Sequence, residues 1–260
     1  MGWFSEQIRQ REESDQNVLE DSFFCMASVV MDKWDAERLE DERLIAEYTL
    51  NTGHTHSETL LPMVESVLKI AGYTVNDVEL FVCTAGPGSF TGVRIGAATV
   101  KGMAFGKDTP CIGVSTLESL ALNGVALKGI LCPCMNARRQ QVYNALFDCD
   151  GTSLTRLCED RALAISELGE ELAEKYPDRP VYLMGDGASI TYDALQGKLG
   201  DRLVMLPERL IHQSGYNTAM CGLRLYREGV RTTDFELAPV YLRPSQAERM
   251  RMEKLKNESN

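Results

Sequence analysis

Residues 77–96 read DVELFVCTAGPGSFTGVRIG: an apolar, strand-like run, a glycine loop, and a helix start carrying glycines. A strand feeding a helix through a short glycine turn is the unit from which α/β proteins are built. At that junction the first backbone N–H groups of the helix lack intrahelical partners, and the positive end of the helix dipole lies beside them. Two readings of the loop stand. Gly86, Gly88, Ser89 and Thr91 can contact a phosphate, or the glycines simply permit a tight turn with Ser89 or Thr91 as the cap. Three familiar motifs are excluded by spacing. A P-loop needs Lys-Ser or Lys-Thr directly after its last glycine, and Val93-Arg94 follows Gly92. The dinucleotide fingerprint separates its second and third glycines by two residues, whereas three lie between Gly88 and Gly92. In a hydrolase elbow Pro87 would stand in place of the first glycine.

Downstream, the pattern predicts a helix over 91–106 in which Gly92, Gly96, Ala97, Ala98, Gly102 and Gly106 leave one face nearly bare. Interior helix glycines cost about 1 kcal/mol each against alanine, so the stripe needs a reason. Either another helix approaches closely, or the helix packs tightly on its own sheet. Upstream, 44–50 alternates as a strand. Thr55 and Glu58 form a capping box for a helix whose stripe is Leu60, Leu61, Val64, Val67, Leu68 and Ala71, with Pro62 predicting a kink and Gly72 the stop. A second unit is expected from residue 114: Ser115 caps 116–124, and 129–134 and 141–147 form strands of one sheet. Helix 165–176, strand 181–185, helices 192–197 and 216–228, an extended 238–242 and a charged helical tail from 245 follow. The fold expected is α/β, with mixed sheets flanked by helices. Its segments are 1–38, a first lobe 39–113, a second lobe 114–212 and a closing 213–260.

The formal net charge of −11 argues against a chain that holds nucleic acid by itself. Residues 1–43 carry 12 acidic and 5 basic side chains, against 26 and 22 in the rest, so the excess is concentrated at the N-terminus. Residues 1–38 read as an acidic helix with Val18, Leu19, Phe23, Met26 and Val30 on its apolar side, or with 26–31 as a strand. No basic patch followed by an apolar core opens the sequence, and no run reaches membrane-span length. The eight cysteines are mostly scattered singly among apolar residues, as buried free thiols are. A cytoplasmic protein with no membrane contact is expected.

GPGSFTGVRIGAATVKGMAFG at 86–106, HSETLLPMVESVLK before it, GVSTLESLA after it, NARRQQVYNALF at 136–147 and PVYLRPSQAER at 239–249 together resemble the TsaB family, from about residue 39 onward. The resemblance implies two related lobes of the actin and sugar-kinase type. It implies a non-catalytic scaffold that binds and activates its paralogue TsaD for threonylcarbamoyl transfer to tRNA adenosine next to the anticodon. TsaE would join the assembly, tRNA would be met only within it, and the chain would form homodimers in isolation. The partner surface would draw on His56, Leu60, Leu61, Val64, Leu68, Gly92, Val93, Arg94, Gly96 and Val100. No cofactor of its own is implied, ATP or ADP entering only at the partner interface. TsaD-type proteins carry a metal-binding H-x-x-x-H in the first helix. Here Glu58 lies four residues after His54 and Leu60 four after His56, so no metal site is expected. The family's usual opening, an apolar strand followed by Asp-Thr-Ser, is absent from residues 1–38.

Other residue patterns carry less. Cys132-Pro-Cys134 lacks a second cysteine pair at ligand spacing and reads as two buried strand thiols. Arg138 and Arg139 suit tRNA, a partner or an ordinary surface. The basic residues from Arg243 into the tail suit tRNA or a solvated helix. A glycoprotease-like peptidase would need Ser89 and His56 as nucleophile and base, and an ATPase or kinase would need a phosphate loop at the N-terminus.

Overall fold

The computed structural model describes residues 24–31, 43–51 and 56–243. Thr55, His54 and the tail from 245 lie outside the described residues, as do most of the residues assigned to the N-terminal helix. Within that stretch Phe24–Met31 is a strand, β1, so the helix reading fails there and the strand reading of 26–31 holds. An almost unbroken apolar run satisfies both periods, and pairing decides between them. β1 runs antiparallel to β2, Arg43–Asn51, with a register shift between Val29 and Val30. Helix α1, His56–Ala71, continues through Pro62. Its Met63 and Val67 are buried, with Leu60 and Val64 beside them against Ala46 and Leu50 of β2. Gly72, at φ +81°, ends the helix. Its N–H bonds Lys69 O and the Tyr73 N–H bonds Leu68 O, the paired closure of a Schellman motif.

The chain divides into two compact units at Asn76/Asp77. The first lobe expected over 39–113 therefore does not coincide with this division. In the second unit, β3, Phe81–Gly86, and β4, Cys111–Ser115, are parallel and joined by α2, Phe90–Ala104. Ser115 ends β4 and caps α3, Thr116–Ala121, by accepting from the Glu118 N–H, so β4 passes into the following body without a linker. The larger sheet is centred on β5, Lys128–Asn136. One edge of β5 lies parallel to β10, Val181–Met184, which is followed by β11, Leu203–Met205. Its other edge pairs with β6, Gln141–Asn144, and β7, Phe147–Asp150. β8, Leu154–Arg156, adds to β7, and β9, Arg161–Ala164, adds to β6.

The strand expected over 141–147 is interrupted opposite Pro133, which has no N–H to give the ladder. Buried Asn144 compensates, its Nδ2 donating to Pro133 O and Ala145 O, both at 3.0 Å. Alternation along β5 builds two cores. Ile130, Cys132 and Cys134 meet α4, Ile165–Lys175, and α5, Ala188–Leu199. Leu131 joins Phe147 and Met184 under α3. After the short α6, Glu208–Ile211, helix α7, Gly215–Arg227, packs on β3 and β4, with Cys221 against Ile112 and Val114. Residues 238–242 make no strand among the described residues.

Candidate functional site

The glycine loop is closed by the end of the chain. Val240 N–H donates to Ala85 O at 2.7 Å, and Val240 O stands 2.4 Å from where a Cβ on Gly86 would sit. With φ at +133°, Gly86 is required by this close approach alone. Ser89 caps α2: its Oγ accepts from the Gly92 N–H at 3.3 Å and its carbonyl from the Val93 N–H. The hydroxyl that a peptidase reading would make a nucleophile is thus engaged at the helix end. Gly88 lies near Val93 and Met135, and Thr91 is exposed.

Helix α2 sorts the expected partner residues by direction. Val93 and Val100, expected on the partner surface, turn inward and are buried with Ala97 and Ala104. Thr91, Arg94, Ala98 and Gly102 form the exposed side, and Gly92 and Gly96 flank it. Among the described residues, a Cβ on Gly96 or Gly102 would meet nothing within 4 Å, so packing among these residues does not explain either glycine. Phe90 stacks on Tyr241 at 4.4 Å; Arg94 lies 4.0 Å over the Phe90 ring and its Nε donates to Tyr241 Oη at 2.7 Å. At the far end Lys101 Nζ donates to Phe235 O, and Phe235 and Phe105 are 91% and 79% exposed. Among the α1 residues, Leu61 is exposed, Leu60 and Val64 are half-buried, and Leu68 is buried. His56 opens α1.

A family model described as TsaD, tRNA N6-adenosine threonylcarbamoyltransferase, matches residues 44–250. The Bacillus subtilis tRNA threonylcarbamoyladenosine biosynthesis protein TsaB is 35% identical over 164 residues, covering 63% of this chain and 71% of that protein. The Escherichia coli protein of the same name is 30% identical over 190 residues, covering 72% and 80%. The chain belongs to the TsaB family. A solved Pseudomonas aeruginosa protein, described as similar to the peptidase YEAZ, superposes with a TM-score of 0.67 at 22% identity. It covers 85% of this chain and 94% of that one, and this likeness shows the fold alone. The α/β fold of the actin and sugar-kinase type, expected from the TsaB resemblance, is the fold of the chain.

Other polar groups in the second unit are committed to one another. Arg156 bridges Glu118 at 2.9 Å and Asp160 at 2.7 Å, Arg224 also reaches Glu118, and Ser115 Oγ donates to Asp160. The Cys132 and Cys134 sulfurs are 3.7 Å apart, free and fully buried. Their mutual hydrogen bond, then burial, raises the Cys132 pKa well above the usual thiol range. No three His, Cys, Asp or Glu side chains converge on a possible metal position among the described residues. No helix among them is long and apolar enough to cross a membrane.

Sequence reading missed two features, one beside the glycine loop and one at the end of β5. Tyr241 emerges only because the terminal segment folds back on α2. Gly185-Asp186-Gly187, just after β10, lies against the end of β5, where Asp186 Oδ1 accepts from the Asn136 N–H at 3.0 Å. A Cβ on Gly185 would stand 2.2 Å from Cys134 O, and one on Gly187 would stand 3.0 Å from it. The signal was a Gly-x-Gly at the carboxyl end of a sheet strand.

Proposed function

We propose that the chain is the non-catalytic subunit that binds and activates TsaD for threonylcarbamoyl transfer to tRNA adenosine. Family membership supplies the reaction, and the outer face of α2 supports the role within it. Gly96 and Gly102 sit in a helix interior, where each costs about 1 kcal/mol against alanine, and among the described residues no atom lies within 4 Å of a Cβ on either. A partner helix that brings its backbone close would use that space. Phe105 and Phe235 at the same end of the helix are large apolar side chains left to solvent, as an interface requires. The same face serves a homodimer when TsaD is absent, and TsaE joins the assembled pair. The setting is cytoplasmic.

The decisive experiment is co-purification with TsaD followed by reconstitution of tRNA modification. The chain is expected to co-elute with TsaD and to raise its modification rate. A chain that neither associates with TsaD nor changes its rate would refute the scaffold role.

A further inference from the structure

The turn between β5 and β6 holds three successive non-glycine residues in the left-handed region: Arg138 at φ 62°, Arg139 at 55° and Gln140 at 57°. L side chains adopt this conformation only under strain, because Cβ crowds the neighbouring carbonyl oxygen. The Gln141 N–H bonds Arg138 O at 3.2 Å, so Arg139 and Gln140 are the central pair of a tight hairpin turn, where Asn-Gly would be relaxed. The turn is held from four directions. Asn136 N–H reaches Asp186, Arg138 N–H reaches Asn136 Oδ1 at 2.8 Å, Ile165 N–H reaches Gln140 O at 3.1 Å, and Arg243 Nη1 reaches Ala137 O at 3.1 Å. Strain sustained in this way belongs to positions where a side chain must be presented. Here the presented groups are the exposed side chains of Arg138 and Arg139, with a third guanidinium, that of the half-buried Arg243, bonded to the loop from another segment.

We propose that this hairpin tip is a contact for the phosphate backbone of RNA, an inference that rests on the chain working in a tRNA-modifying assembly. In a chain of net charge −11, Arg138 and Arg139 stand at this tip and Arg243, from a distant segment, donates to the Ala137 carbonyl beside them. At the base of the hairpin Asp186 accepts from the Asn136 N–H and Glu167 from the Ala164 N–H. Guanidinium groups match phosphate oxygens with paired donors. The tip, Ala137-Arg138-Arg139-Gln140, carries no large apolar side chain to form the dry centre of a protein interface. Arginine, glutamine and backbone N–H groups are the donors that meet phosphates.

The test uses the full chain assembled with TsaD and a labelled, unmodified tRNA transcript, with anisotropy read between about 50 and 200 mM salt. Arg139→Asn introduces a residue that tolerates the left-handed region, so the protein is expected to unfold at higher urea while binding tRNA about fivefold to tenfold more weakly. Arg243→Gln should weaken binding similarly. Each substitution should lower the slope of log affinity against log salt by about one. Gln140→Gly, which relaxes the turn and keeps every arginine, should bind tRNA as wild type does, and Arg139→Lys should keep the salt slope. Wild-type affinity and slope in the Arg139→Asn/Arg243→Gln pair would overturn the proposal. So would loss of TsaD association in that pair, which would make the tip a protein contact. If the wild-type chain does not associate with TsaD at all, the scaffold reading itself fails and this inference falls with it.

Discussion

Glycines at three helix or loop positions make opposite demands on a single methyl group. Gly102 lies inside α2 with nothing within 4 Å of a Cβ, so Gly102→Ala should stabilise the isolated chain by up to about 1 kcal/mol. Gly222, inside α7, faces the Val82 side chain at 2.3 Å, and a β-branched neighbour on a packed strand cannot swing away. Gly222→Ala should therefore destabilise, by about 1–3 kcal/mol. Gly86→Ala should also destabilise, because its φ is left-handed and the obstacle is the Val240 carbonyl. Urea midpoints of the three variants check the signs; a destabilised Gly102→Ala or a neutral Gly222→Ala would contradict the packing. Asp150 gives a pH signature at the same scale. Its carboxylate accepts from the Thr152 and Ser153 N–H groups and both hydroxyls, which lowers its pKa. A depressed carboxylate contributes fully above its unfolded value, near 4, and loses that contribution as pH falls through the folded one. The stability gap between wild type and Asp150→Ala should then be constant above about pH 5 and shrink below pH 4. Denaturation of both proteins across that range reads it.

At the scale of elements, the two faces of α2 have separate consequences. Gly96→Leu and Gly102→Leu add bulk to open space, so both should fold. If a partner backbone approaches there, overpacking of about 1–3 kcal/mol would cut TsaD affinity roughly tenfold to a hundredfold. On α1 the informative variant is Leu61→Asp, at an exposed position, because Val64→Asp would bury a carboxylate against Met63, Val67 and Leu50. Isothermal titration with TsaD, beside circular dichroism of each variant, separates binding from folding; unchanged affinity in all three would clear these faces of the interface. Helix existence was legible in the sequence wherever a stripe and a cap coincided, as at Ser89 and Ser115. Direction was less so. The expected stripe of Leu60, Leu61, Val64, Val67, Leu68 and Ala71 holds the buried Val67 and Leu68, but it leaves out the buried Met63 and takes in the exposed Leu61, since an apolar helix offers several faces and only the strand beneath selects one. The same reason left Phe24–Met31 open to both helix and strand readings. The interruption at residues 145–146 was not legible, because it comes from Pro133 on a neighbouring strand.

For the molecule as a whole, the question is whether the second unit contains an activated group or only committed ones. The glycine loop, which drew attention first in the sequence, is spent on a close approach and a helix cap. The candidate site was legible as a motif, but its neighbours Val240 and Tyr241 come from a distant segment that no local pattern connects. The thiols point the same way. Burial, aided by Glu118, pushes Cys221 up to about 12, and Cys132 is raised too. A thiol so placed is protonated at neutral pH and is a poor nucleophile. Because the folded pKa lies above the unfolded one, the thiol's contribution to stability is complete below about pH 8.5 and is lost as pH rises toward 12. Native protein treated with iodoacetamide at pH 8 should leave Cys132, Cys134 and Cys221 unmodified by peptide mass, and denatured protein should react at all three. The matching functional expectation is that the purified chain alone leaves tRNA unmodified, even with the threonylcarbamoyl donor supplied, and that modification begins when TsaD is added. Ser89 accepts from the first turn of α2, and Glu118 and Asp160 are bonded to arginine. Modification by the chain alone, abolished by a point substitution in it, would mean that one of those bonds opens to form an active centre.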